Sequence, residues 1–107
     1  MKSPGRSEDV TNDYRFAWDT AKSNQNLEKH GIDFDEGTRL WDDPWRTSAS
    51  VPRGGERRRK LYARYVGAIW IAIYVQRDTI IRIISVRRAT GKEVSQYDRA
   101  YHERSGI

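Results

Sequence analysis

Cysteine is absent from this chain of 107 residues. Its absence excludes a disulfide framework and any metal centre built on thiolates. A small protein that does without disulfides fits a reducing compartment. Long apolar runs are missing as well, and no stretch approaches the length needed to cross a bilayer. The opening residues, MKSPGRSEDV, lack the apolar centre of a signal peptide. From these absences we expect a cytoplasmic protein. Apolar residues are also scarce, at 36% against 33% charged. A chain of this length suits one domain with a modest core. Four Trp and six Tyr supply much of the area such a core can bury.

What the chain has in quantity is positive charge, unevenly placed. Residues 1–52 carry 7 basic and 10 acidic side chains, whereas residues 53–107 carry 13 basic and 5 acidic. A basic half on a small domain points to an anionic partner, either nucleic acid or an acidic protein. The plainer alternative is a solvated surface that keeps the protein soluble.

Residues 1–14 are polar, hold Pro4 and Gly5, and show no period, so they read as a flexible tail before a single domain over 15–107. Arg15 to Trp18 alternate as a short strand. Asp19 then reads as the N-cap of a helix over Thr20 to His30, closed by Gly31. Asp33, with Glu36 three residues later, starts a second helix on which Phe34, Thr38 and Trp41 share a face. Asp42, Asp43 and Pro44 stop it, and Thr47 to Val51 can form a short edge strand. Three further strands come next: Lys60 to Val66, Ala68 to Val75, and Ile80 to Arg87, with tight connections at Gly67 and at Gln76 to Thr79. Thr90 and Glu93 form a capping box for a last helix running to about Arg104, striped by Val94, Tyr97 and Tyr101. The fold class is therefore α+β: a small antiparallel meander with two N-terminal helices and one C-terminal helix.

The stretch RIISVRRAT, which spans most of the last strand and the turn after it, carries arginines that sit badly in a core. Strict alternation puts Arg82 on one face with Ile80, Ile84 and Val86. A charge there needs a carboxylate partner, for which Glu56, Glu93 and Asp19 are the candidates, or an opening to water. Functionally, it would be the floor of a groove for an anion. Arg87 and Arg88 leave the strand beside a helix N-terminus. Arg53, Arg57, Arg58, Arg59, Lys60 and Arg64 cluster before and within the first meander strand. Guanidinium forks match phosphate geometry. The intervening strand, Ala68 to Val75, stands between the two groups unless the sheet curves.

Two motifs carry a resemblance. FAWDTAKSNQNLEKHGIDFDE supplies Trp18, Asp19, Lys22, Asn26, Lys29, His30 and Gly31 in the spacing of the BrnT toxin family. RIISVRRAT with Glu93 and Tyr97 is similar to that family's strand-to-helix signature. The resemblance runs from about Phe16 to Tyr97. The family's arginine after the last-helix Glu is replaced by Val94, and its first-meander arginine is matched here to Arg59. The resemblance implies a RelE-like fold and a toxin of a type II toxin–antitoxin system. It further implies an endoribonuclease that inhibits translation, a BrnA-like antitoxin that neutralises it, and operator DNA met only through that complex.

Metal-independent RNA cleavage uses the ribose 2′-OH as nucleophile. A base takes its proton, cations stabilise the phosphorane, and an acid protonates the leaving 5′ oxygen. Arg82 is the leading candidate for phosphate binding or transition-state stabilisation. Lys22, His30 and Tyr97 are the further catalytic candidates, with Glu93 beside them. Each has a plain alternative: a surface lysine, a helix-end histidine, a core tyrosine and a capping glutamate. Arg59, Arg87, Arg64 and Trp18 are the candidate RNA contacts. No cofactor is expected. A Mg²⁺ site from Asp33, Asp35, Glu36, Asp42 and Asp43 is weaker, because caps and helix starts account for those carboxylates. The competing function is a non-catalytic basic module that binds nucleic acid or an acidic protein.

Overall fold

The computed structural model describes residues 14–51 and 57–106. The expected tail lies outside these residues apart from Tyr14, and so do Arg53 and Glu56. The elements in order are β1 (Arg15–Ala17), α1 (Thr20–His30), α2 (Phe34–Gly37), a 3-10 helix (Thr38–Asp42), β2 (Thr47–Val51), β3 (Arg58–Tyr65), β4 (Ala68–Arg77), β5 (Ile80–Arg88) and α3 (Gly91–Ser105). The five strands form one sheet in the order β1-β5-β4-β3-β2. β1 runs parallel to β5, and the other pairs are antiparallel.

The caps read from the sequence are present. Asp19 and Asp33 accept backbone N–H bonds from Lys22 and Glu36, and Gly31 closes α1 at φ +77°. Thr90 and Glu93 form the full reciprocal box. The second helix differs from expectation. It makes one α-helical turn and then tightens to 3-10, whose three-residue repeat aligns Phe34, Gly37 and Leu40 toward the core. Leu40, which an α-helical stripe leaves out, is fully buried. Gly37 is needed for this approach, because a Cβ there would stand 2.9 Å from Val86 Cγ2.

Each face of the sheet has its own core. On one face, α1, α2 and the 3-10 helix cover Leu61, Ala63, Ala72, Tyr74, Ile81, Ile83 and Val86. Trp41 sits there edge-on between Phe16 and Tyr74, with ring centroids 5.2 and 5.1 Å away. On the other face, α3 lays Tyr97, Val94 and Tyr101 over Tyr62, Ile69 and Ile71. The meander strands are each longer than expected: β3 begins two residues earlier, at Arg58, and β4 runs on to Arg77.

A register shift corrects the strict alternation expected for β5. Tyr74 pairs with Ile83 but Ile73 pairs with Ser85, so Ile84 is the extra residue of a β-bulge. Beyond it the facing of side chains inverts. Val86 joins Ile81 and Ile83 in the first core, and Arg87 moves to the face of Arg82.

The edge strands are short, and two side chains extend their pairing. Where β1 ends, Asn26 from α1 pairs with the buried backbone of β5 that no strand reaches. Its Nδ2 donates to the Val86 carbonyl at 2.8 Å, and its Oδ1 accepts from the Val86 N–H at 3.1 Å. Where β2 has not yet begun, Asp43 accepts from the Arg64 N–H on β3 at 2.8 Å. Buried backbone groups left unpaired cost about 1–3 kcal/mol each, so both residues are structural.

Candidate functional site

α3 covers Tyr62, Ile69 and Ile71 on the second sheet face and reaches Trp45 through Tyr101, leaving Ile73 and Val75 half-buried and Arg82 exposed. Pairing registers define what stands there. Arg58, Val75 and Arg82 form one cross-strand row, with Lys60, Ile73 and Ser85 in the next and Tyr62, Ile71 and Arg87 beyond. Strands two apart are separated by roughly 10 Å, so Arg58 and Arg82 flank Val75 as two jaws. β4 does lie between the two arginine groups, as its place in the meander requires. Its side chains on this face are Ile69, Ile71, Ile73 and Val75; the first two are buried under α3, and half-buried Ile73 and Val75 form a low apolar floor between basic walls.

Glu93 organises the inner end. Arg87 grips it as a fork, with Nη1 to Oε1 at 2.8 Å and Nη2 to Oε2 at 2.9 Å. Lys60 Nζ stands 2.6 Å from Oε2, and the Thr90 N–H donates to Oε1 at 2.8 Å. The Arg87 bond is the main cause that holds the Glu93 carboxyl far below the usual carboxylate range, against the opposing effect of burial. The same bond raises the Arg87 guanidinium above its ordinary value. Lys60 also lies 5.4 Å from the Tyr62 ring, whose hydroxyl donates to Gln96 Oε1 at 2.9 Å. Arg82 is exposed, and among the described residues it has no ion pair. Of the carboxylates suggested for it, Glu93 is taken by Arg87 and Lys60, Asp19 caps α1, and Glu56 lies outside the described residues. Lys60 and Arg87 thus share Glu93, and Arg58 and Arg82 stand further out on the same face.

The structure brings together Arg82 and Arg87 from the sequence-derived set, and adds Lys60 and Arg58. The period-two spacing of Arg58, Lys60, Tyr62 and Arg64 against Arg59, Leu61, Ala63 and Tyr65 was the signal for these two. Arg64 lies on the same face but at its covered end, with its guanidinium 5.6 Å from the Tyr97 ring. Arg59 points to the opposite face, where Ser48 and Ser50 accept from its guanidinium at 2.8 and 3.5 Å. Trp18 packs against the first core. Tyr97 is 1% exposed and donates to Asp43 Oδ2 at 2.7 Å. Burial, and after it that bond, raises its phenol to about 12. Lys22 is exposed and His30 half-buried on α1, whose buried residues Ser23 and Asn26 serve Phe34, Ile32 and Val86. Among the described residues, no hydrogen bond or ion pair places Lys22 or His30 beside Arg82. Nor do any three His, Asp or Glu side chains among them gather as a metal site. No helix among them is long and apolar enough to cross a membrane.

A small α+β protein with a solvent-open sheet face, walled by arginine and lysine and floored by isoleucine and valine, has the layout of a polyanion-binding domain. Residues 18–93 match the model of a family described as the ribonuclease toxin, BrnT, of type II toxin–antitoxin systems, and the chain belongs to that family. No curated protein matches it. Membership makes it a ribonuclease toxin by family, with an antitoxin as its partner.

Proposed function

We propose that this protein is an endoribonuclease that cleaves RNA without a metal ion, through attack of the ribose 2′-OH on the adjacent phosphorus. A BrnA-like antitoxin neutralises it, and kinship with RelE-type ribonucleases belongs to the same reading. The observation that carries it is the convergence of Arg58, Lys60, Arg82 and Arg87 on the open sheet face. The scissile phosphate sits between Arg82 and Lys60, where guanidinium and ammonium groups face the charge that grows on the equatorial oxygens. Lys60 holds the proton available to the leaving 5′ oxygen. Glu93 holds Lys60 in place, and with its carboxyl so far depressed it is a poor base. Tyr62 is tied to Gln96. The 2′-OH proton therefore passes to water, and charge stabilisation supplies most of the rate. Lys22, His30 and Tyr97 lie off this path.

The test is induction of this chain in a host strain beside Arg82→Ala at equal soluble level. Growth arrest by the wild type, released by the substitution, is expected. Arrest by both would remove Arg82 from the mechanism. A folded wild type that arrests nothing would favour a binding module.

A further inference from the structure

Arg59, which the fold turns away from the catalytic face, does not point into empty solvent. It lines a groove of about 370 Å³ on the opposite face, together with Arg104, Arg46, Ser48, Tyr74 and Gln76. Among the described residues, no carboxylate lines this groove. Two of its guanidiniums are held by neutral oxygens. Arg59 donates to the hydroxyls of Ser48 and Ser50. Arg104 donates to the carbonyls of Pro44, Trp45 and Arg46 at 3.2, 3.3 and 2.8 Å, with its guanidinium 5.6 Å from the Trp45 ring. These contacts fix the two side chains and, among the described residues, leave their charge uncompensated. A guanidinium has five N–H donors, so each keeps donors to spare. An anion arriving there meets cations whose ordering cost is already met.

The groove and the catalytic face lie on opposite sides of the same sheet edge. Arg58 and Arg59 are neighbours on β3 that point to opposite sides, and only β2 separates them from the sheet edge. β2 carries Thr47, Ser48, Ala49, Ser50 and Val51, all short side chains. A chain lying over Arg58 and Lys60 can turn across this low edge and continue toward Arg59. We infer that the groove around Arg59 and Arg104 is a second phosphate subsite, which holds the backbone of the same RNA strand after it has crossed β2. The inference rests on the reading of the opposite face as the cleavage site. It makes the protein sensitive to RNA length: a short substrate occupies the catalytic face alone, and a longer one occupies both.

The probes are two 2′-O-methyl RNAs, one of about 4 and one of roughly 16 nucleotides, within the span of single-strand binding sites. They bind without being cut. Fluorescence anisotropy gives the affinity of each at several salt concentrations. Arg59→Gln is expected to weaken the long RNA by roughly threefold to tenfold and to lower its salt slope by about 0.7, the value of one phosphate contact on a single strand. It leaves the short RNA unchanged, whereas Arg82→Ala weakens both. Ser48→Glu, at an exposed edge-strand position beside Arg59, reproduces the effect by placing a carboxylate in the groove. Arg59→Lys restores the salt slope. Unchanged affinity of Arg59→Gln and Ser48→Glu for the long RNA would overturn the subsite. So would equal weakening of long and short RNA. Failure of the catalytic reading shows separately, as a wild type that binds unmethylated RNA with this length dependence but does not cut it.

Discussion

Glu93 gathers a guanidinium fork, an ammonium and a backbone N–H on one buried carboxylate. Its folded pKa is depressed, so its contribution to stability is present above the ordinary carboxylate range and is lost as pH falls through the folded value. Glu93→Gln should therefore lower Tm most near neutrality. The gap to wild type should close as the solution is acidified below about pH 4. Thermal melts across pH read this directly, and a gap that widens in acid would contradict it. The sequence showed Glu93 as half of a capping box, and Arg87 as a cation beside it. It did not show that one carboxylate serves both duties and Lys60 as well, since that depends on α3 returning over β3. Tyr97 shows the opposite limit. Its spacing with Val94 and Tyr101 marked it as core, and only its place in a family motif suggested chemistry. Its hydroxyl is committed to Asp43, at a distance in sequence that no local pattern displays.

At the scale of elements, the helix starts, the hairpin turns and the edge strand were legible, because caps, glycine and period-two alternation are local signals. The bulge at Ile84 was not. An extra residue looks like any other strand residue, yet it decides that Arg82 and Arg87 share a face. Asn26 was equally opaque. In sequence it stands only as one residue of the family motif, and in the fold it replaces the missing end of β1 by pairing with Val86, while it also donates to the Ile32 carbonyl. Asn26→Ala removes three hydrogen bonds and leaves the Val86 N–H and C=O buried without partners. We expect a loss of about 3 kcal/mol, read by urea denaturation with an unchanged m-value. A loss below about 0.5 kcal/mol, the range of ordinary surface substitutions, would show that water serves Val86 as well as Asn26 does.

Across the whole molecule, the charge asymmetry of the sequence becomes a division of labour. Carboxylates of the first half cap helices, receive Tyr65 and complete the β3 edge, through Asp19, Asp33, Glu36 and Asp43. Arg58, Lys60, Arg82 and Arg87 of the second half share one face of the sheet. That much was legible from counting charges, but which cations meet required strand order and register. The central claim is that the open face of Arg58, Lys60, Arg82 and Arg87 cuts RNA without a metal ion, chiefly by charge stabilisation. The most direct test incubates purified protein with RNA in excess chelator and identifies the new ends. Cleavage should persist and leave 2′,3′-cyclic phosphate and 5′-hydroxyl ends. Arg82→Ala should slow it by about 10²–10³ with little change in Tm, because Arg82 is exposed. Cleavage that stops in chelator and returns with a divalent ion, or that proceeds at the wild-type rate without Arg82, would contradict the account.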